Sequence, residues 1–288
     1  MVAEGLHPNS SRYIRIEPSA LVARGDAPQK SLPCGFRGPK HLVTSGSSIW
    51  SPAPIVTDTA MYDEDEFKSV IDNNDIFVVA QKIISKSENR YLNLDTIDVS
   101  KKAKKLAIKL NKDQGLIQAI MNESNKIIST EKNVVIVEHK LGFININAGI
   151  DQSNILQNKN LALLLPENPT LSAQNLHSQL SINLNKNISV IISDSMTRPF
   201  RSGVTNFAIA SHNIQSLIDL KGEKDMFGNY LKATEIAVAD ELASAAGLLM
   251  GQGAEGKPVI IIKGFNKKAH EINNAFDLIV NKKDDLYR

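Results

Sequence analysis

From Met61 onward, apolar and polar residues alternate in patterns that predict regular elements. Ile76–Ile84 (IFVVAQKII) is a near-continuous apolar run and predicts a buried strand, followed by Ser85 and Lys86. Val99–Leu110 predicts a helix with a lysine-rich outer face. A second helix is expected over Leu116–Ile128, carrying Leu116, Ile117, Ile120, Met121 and Ile127. Val134–Glu138 and Phe143–Asn147 read as strands joined by a turn at Lys140–Gly142, a hairpin. Leu161–Leu165 reads as a short strand stopped by Pro166, and Leu171–Leu184 as a helix. Ile188–Ser193 and Phe207–Ala210 read as strands, Ala233–Met250 as the strongest helix, and Pro258–Lys263 (PVIIIK) as a buried strand. Hairpin-like strands and helix-separated strands both occur. The expected class is therefore α/β with mixed sheets, not a simple alternating array.

Residues 1–60 do not share this pattern. They hold seven of the eleven prolines and only one asparagine, against 25 asparagines in residues 61–288. They carry four arginines and two lysines, whereas the remainder carries four arginines and 23 lysines. Ala27–Lys40 and Thr44–Pro54 show neither a helical nor a strand period. Residues 1–60 are expected to be a largely irregular N-terminal segment, read as an extension or a wrongly assigned start rather than a regulatory or targeting arm. Residues 61–288 are expected to form the functional domain.

Composition narrows the function. The net charge of +2 is too small to argue for nucleic acid or an anionic membrane. With 5% aromatic residues there is little material for stacking bases. The single cysteine, Cys34, excludes an internal disulfide and a multi-cysteine metal site, and fits a reducing cytoplasm. No apolar stretch approaches the roughly 20 residues that span a bilayer. The N-terminus lacks the apolar core of a secretory signal, so the sequons at Asn9, Asn122 and Asn187 read as chance matches.

Two polar segments carry the candidate chemistry, Asn147–Asn154 (NAGIDQSN) and Ile192–Gly203 (ISDSMTRPFRSG). Each places an aspartate just past an apolar run, Asp151 and Asp194. The second adds Ser195, Arg198 and Arg201. Carboxylates and a hydroxyl suit a hard divalent cation, Mg²⁺ or Mn²⁺, and arginines suit a phosphate. Against this stands the ordinary preference of aspartate for turns. Lys82 and Lys86, at the end of a strand, could reach a phosphate as point charges or be surface lysines. Gly251–Gly256 (GQGAEG) matches G-x-G-x-x-G, but it leaves a helix and enters a strand, the reverse of a Rossmann turn or P-loop. It reads as a helix cap or as an anion nest of a non-standard kind. His139, His177 and His212 stand singly and lack metal-ligand spacing.

The segments VVAQKIISKSENR, NAGIDQSN, LLLPENP, ISDSMTRPFRSG, DLKGEKDMFGNYLKATEIAVADELASAAGLLMGQG and PVIIIKG appear in this order. Together, over roughly residues 65–265, they resemble the coenzyme F420:L-glutamate ligase family, also called F420-0:gamma-glutamyl ligase. The resemblance implies a two-part α/β ligase domain and a homodimer. It implies a GTP-dependent, Mg²⁺- or Mn²⁺-dependent reaction that phosphorylates a carboxylate of coenzyme F420-0 and links L-glutamate to it. By the same resemblance Asp151, Asp194 and Ser195 are metal ligands, with Gln252 at the position of a second cation. Gln81, Lys82, Lys86 and Asn154 match nucleotide contacts. So does the loop Met250, Gly251, Gln252, Gly253, Ala254, Glu255, Gly256 and Lys257. Arg198 and Arg201 match an arginine-rich turn and would hold a phosphate or a substrate carboxylate. Family members open on a V-x-G-[IL]-P strand that contacts GTP, and residues 1–60 contain no such motif. A nucleotide-binding protein without turnover, or a ligase with another acidic acceptor, are the alternatives this leaves.

Overall fold

The computed structural model describes residues 68–153, 160–265 and 272–286, and the backbone of a strand at Ile55–Asp58. In chain order the elements are β1 (Ile55–Asp58), β2 (Ile76–Ala80), α1 (Gln81–Ser87), β3 (Tyr91–Asn93), α2 (Lys101–Leu110) and α3 (Gln114–Asn122). Then come β4 (Ser124–Ser129), β5 (Ile136–His139), β6 (Ile144–Ile146), β7 (Leu161–Leu163), α4 (Pro169–Leu184), β8 (Ser189–Arg198) and β9 (Arg201–His212). The chain closes with β10 (Ile218–Asp219), β11 (Glu235–Ile236), α5 (Val238–Met250) and β12 (Val259–Lys263).

Alternation along the strands builds the larger part. The sheet order is β1-β12-β2-β8-β9, with β2 and β8 parallel and the other pairs antiparallel. Phe77, Val79, Val190, Ile192, Phe207 and Ile209 face one side, where α4 packs through Ala173, Leu176 and Leu180. Ile76, Val78, Ile191, Ala208, Ile260 and Ile262 face the other, under α5. Both faces are covered, which is why these strands read as continuous apolar runs. The smaller part packs α2 and α3 over the sheet β4-β5-β6 through Ala103, Ala107, Leu110, Ile117, Ile120 and Val137. Among the described residues no helix is long and apolar enough to cross a membrane.

The mixed α/β class expected from the pattern is what forms, with different boundaries. The apolar run expected as one strand over Ile76–Ile84 divides, because the ladder to β12 ends at Val79↔Val259. The chain then turns into α1, where Ser85 donates to Gln81 one turn earlier at 2.9 Å. Ile83 and Ile84 enter the core at helical spacing. The helix expected to reach Ile128 stops at Asn122, and Ile127 pairs with Val137 across β4 and β5. Ladder pairing there overrides helical periodicity. The segment Asp194–Arg198 is strand rather than loop, paired residue by residue with β9 from Asp194↔Phe207 to Arg198↔Arg201. The helix expected from Ala233 begins at Val238, because Glu235 and Ile236 pair with β10. Within the stretch expected to be irregular, Ile55–Asp58 is an edge strand on β12, and residues 1–54 lie outside the described residues.

His139 marks the seam between the two parts. Its ring stacks on Phe143 at 5.2 Å and 3°, and Phe143 meets Phe207 edge-on at 5.2 Å. Burial, with the Lys140 and Arg90 charges, holds the imidazole down at about 4, against 6.5 when exposed. Between those values the unfolded chain binds a proton that the folded chain does not. The His139 contribution to stability therefore rises with pH through this window and is lost as pH falls toward 4, by up to about 3 kcal/mol. Replacing His139→Phe keeps the stack and removes the titration. Urea unfolding should then show a smaller stability loss on acidification than in the parent, and identical pH slopes would contradict the assignment.

Candidate active site

Topology brings the candidate segments to one end of the large sheet. β2 and β8 are parallel, so Gln81, after Ala80, and Asp194, after Ser193, emerge together. β12 runs the opposite way and starts at that end. Ala80 donates its backbone N–H to Pro258 at 2.8 Å, which fixes where the glycine loop leaves. Ligands of such sheets sit beyond the carboxyl ends of the parallel strands.

Asp151 arrives from the smaller part. Its backbone makes a two-way bridge with Leu163, N–H to O at 3.0 and 2.8 Å. The turn before it passes Gly149 at φ +65, where a Cβ would lie 2.9 Å from the Leu165 side chain. Only glycine fits there without displacing Leu165. The Asp151 carboxylate meets the Lys82 ammonium at 2.5 Å and accepts the Ser153 amide at 2.6 Å. Lys82 also reaches the Ser153 hydroxyl at 3.1 Å. Burial alone would raise the Asp151 carboxyl, but Lys82 and Ser153 outweigh it and hold it below its ordinary value.

Asp194 has the opposite balance. Removal from water, with the Asp151 charge adding, pushes its carboxyl up to about 7, against weaker opposition from the Ser195 amide, Lys82 and Gln81. Asn145 donates to it at 3.2 Å. Lys86 lies half-buried beside this group, and burial and the Lys82 charge lower its ammonium. Asp194 is thus a half-buried carboxylate whose negative charge is poorly matched by its surroundings, a situation a divalent cation would relieve. Among the described residues no three His, Cys, Asp or Glu side chains converge as a metal cage. Mg²⁺ needs none, since one or two carboxylates with waters and substrate phosphates suffice. The donor set fits such an ion.

Ser195 lies next along β8, in register with Asn206 on β9. Asn206 is a hub: it donates to Ser193 at 2.9 Å and accepts from the Gln252 amide at 2.9 Å. Met250, at the end of α5, packs beneath it with its sulfur 4.0 Å from the Asn206 amide. Gly251 continues at φ +72, and the Glu255 carboxylate folds back to accept the Gly253 N–H at 2.8 Å. The loop Gly251–Lys257, with Ala254 and Gly256 exposed, thus already presents an amide to an anion. A Cβ at Gly247 would fall 2.5 Å from the Asn206 side chain. Gly247→Ala should push Asn206 aside, break its bond to Gln252, and cost roughly 1–3 kcal/mol of stability. Urea unfolding checks this, and an unchanged midpoint would show that the helix accommodates the added methyl group.

The structure therefore brings Gln81, Lys82, Lys86, Asp151 and Asp194 together, with Ser195 beside Asn206 and Gln252. Arg198 and Arg201 stand opposite each other at the far end of the β8–β9 hairpin. Arg198 is four residues of extended chain, roughly 13 Å, from Asp194. Asn154 lies outside the described residues. Sequence reading missed Asn145, Ser153 and Asn206. The signal for Asn206 was a polar residue heading the buried run Phe207–Ala210.

The family model for F420-0:Gamma-glutamyl ligase matches residues 48–264. Coenzyme F420:L-glutamate ligase from Methanocaldococcus jannaschii is 43% identical over 218 residues, covering 76% of this chain and 86% of that protein. The protein of the same name from Methanococcus maripaludis strain C6 is 39% identical over 221 residues, covering 77% and 88%. Its counterpart from Methanothermobacter thermautotrophicus is 40% identical over 193 residues, covering 67% and 76%. The match spans both parts of the fold and every candidate segment, and the chain belongs to the F420-0:gamma-glutamyl ligase family.

Proposed function

We propose that this chain is a GTP- and divalent-metal-dependent ligase that joins L-glutamate to coenzyme F420-0 through gamma-linked amide bonds, working in the cytoplasm. The observation that carries it is the Asp151–Lys82–Asp194 group, set past the carboxyl end of β2 and where the pairing of β8 to β2 stops, at the same end of the sheet as the glycine loop. An acceptor carboxylate oxygen attacks the terminal phosphorus of GTP, and GDP leaves. The amine of glutamate then attacks the acyl phosphate, loses a proton, and phosphate departs. Phosphoryl transfer of this kind needs positioning and charge neutralisation more than a protein nucleophile.

In this reading Lys82 and Lys86 hold phosphate oxygens, and the amides around Gly253 take a phosphate in place of the Glu255 carboxylate. Asp151, Asp194, Ser195 and Gln252 would hold Mg²⁺ or Mn²⁺, which supplies Lewis-acid neutralisation of phosphate charge. Arg198 and Arg201, two like charges opposite each other, would take a carboxylate or phosphate at the hairpin end. The exposed Phe200 beside them, with exposed Met226 and Phe227, supports a homodimer as the working form. Sedimentation at micromolar concentration tests that, and a monomer would exclude it.

Because the Asp194 carboxyl sits at about 7, bound metal must displace a proton. Metal affinity should rise as pH increases through 7, by up to roughly tenfold per pH unit below that value. Mn²⁺ titrations in buffers of different ionisation enthalpy would register the proton, and a pH-independent affinity would remove Asp194 from the site. Incubation of the full chain with GTP, Mn²⁺, L-glutamate and F420-0 should give GDP and acceptor mass gains of whole glutamyl units. Nucleotide binding without product would support the turnover-free alternative, and product with a different acidic acceptor only would replace F420-0.

A further inference from the structure

Asn206 is buried where β8, α5 and the glycine loop meet, with 8% of its surface exposed. It pairs directly with Ser195 across β8 and β9, so the two side chains share one face of the sheet. That face lies under α5, since a Cβ at Gly247 would fall 2.5 Å from the Asn206 side chain. Both ends of the Asn206 amide are engaged. Its nitrogen donates to the Ser193 hydroxyl at 2.9 Å and faces the Met250 sulfur at 4.0 Å. Its oxygen accepts the Gln252 side-chain N–H at 2.9 Å. The backbone is held too: Ser244 donates to the Asn206 carbonyl at 2.7 Å, and Thr205 bonds the Ser244 hydroxyl at 2.8 Å.

The direction of these bonds carries the chemistry. An amide can turn end for end, and the Ser193 hydroxyl can donate or accept. A thioether sulfur only accepts, so Met250 keeps the Asn206 nitrogen on its side and the oxygen toward Gln252. Gln252 must then turn its nitrogen to Asn206, and its carbonyl oxygen points the other way. The rest of the Gln252 side chain is exposed, and its terminal torsion is intrinsically broad and two-fold. Without a grip, Gln252 would present its N–H₂, the positive end of the amide dipole, to a cation as readily as its oxygen. We propose that Asn206 is a positioning residue: it holds the Gln252 nitrogen so that Gln252 offers its oxygen to a cation beside Ser195. The proposal rests on the metal-dependent reading of the site. In it Asn206 is not a ligand, because both ends of its amide are already engaged.

Mn²⁺ binding by the full chain with saturating GDP, followed by the electron paramagnetic resonance of free Mn²⁺, tests this without turnover. Asn206→Leu removes the grip at similar volume. Asn206→Thr leaves a hydroxyl for Ser193 but is too short to hold Gln252, and it carries the test if the leucine variant does not fold. Each should weaken Mn²⁺ binding roughly tenfold, the lower end of the cost of removing a group that orients a metal ligand. In a Gln252→Glu background either carboxylate oxygen serves, so no aim is needed. There the same Asn206 changes should cost less than about twofold. Equal losses in both backgrounds would make Asn206 a merely structural residue and overturn the proposal. Unchanged Mn²⁺ binding in the Asn206 variants would overturn it while leaving the metal-dependent reading intact. A parent chain that binds no Mn²⁺ would remove that reading and the proposal with it. Loss confined to the Gln252 background, in a chain that makes no glutamyl product, would support the positioning role and remove the ligase reading.

Discussion

Asp194→Asn should lower turnover by about a thousandfold, the scale expected when a charge aimed at the transition state is removed. The substitution keeps size and shape, and an amide oxygen can still accept from Asn145, which donates at 3.2 Å. On the proposed reading, what it removes is the charge that would hold the cation. Stability should move the other way. Burial and the Asp151 charge already push the Asp194 carboxyl up to about 7, so its ionised form is disfavoured in the fold. Between 3.8 and that value the folded chain binds a proton that the unfolded carboxyl does not, and the Asp194 contribution to stability is lost as pH rises toward 7. At pH 8 the asparagine variant should therefore melt at or above the parent temperature while its kcat collapses. Lost activity with lost structure would mark Asp194 as a folding residue, and turnover within tenfold of the parent would exclude it from the chemistry.

Lys263→Met should cost about 3 kcal/mol of stability. The Lys263 ammonium donates to the Val70 carbonyl at 2.6 Å, to Asp72 at 2.8 Å and to Asp75 at 2.6 Å. Burial would lower that ammonium, but Asp72 and Asp75 outweigh it and raise it above its ordinary value. Asp75 is only 2% exposed, so removing its cation leaves a buried carboxylate without its main counter-charge. The contact also ties the end of β12 to the turn that launches β2, and so aligns the strands that present Gln81 and Asp194. The paired change Asp75→Asn with Lys263→Met should recover part of the loss, because neither partner is then stranded. Denaturant midpoints of the four proteins give the coupling directly. A single-variant loss under about 1 kcal/mol, with no recovery in the double, would reduce the cluster to a surface pair.

The residues show how far a sequence carries such a site. Asp151 and Asp194 were visible because each breaks off an apolar run, and the sheet topology does bring them together with Lys82. The path of Asp194 was not visible. ISDSMTR reads as a polar loop, yet it continues β8, because β9 supplies ladder partners as far as Arg201. The residues from Asp194 to Arg198 are half-buried or exposed, and strand pairing there needs no apolar side chains. Ile83, Ile84 and Ile127 failed for a related reason. A short apolar run fits either element, and the partner strand decides which forms. Asn206 and Asn145 gave no motif, since their roles depend on cross-strand neighbours far away in sequence. The N-terminal compositional break was real at the level of residues. Even so, the backbone of Ile55–Asp58 joins the large sheet through β12, with Asp58 in register with Ile260.

On the proposed reading this site activates a carboxylate by phosphorylation before glutamate attacks. The direct measurement supplies F420-0 with both oxygens of its reacting carboxylate labelled with ¹⁸O, together with GTP, Mn²⁺ and L-glutamate. Mass spectrometry then follows the label. Activation through an acyl phosphate transfers one labelled oxygen from the acceptor to the released phosphate and leaves the other in the new amide. Amide product accompanied by unlabelled phosphate would contradict the mechanism.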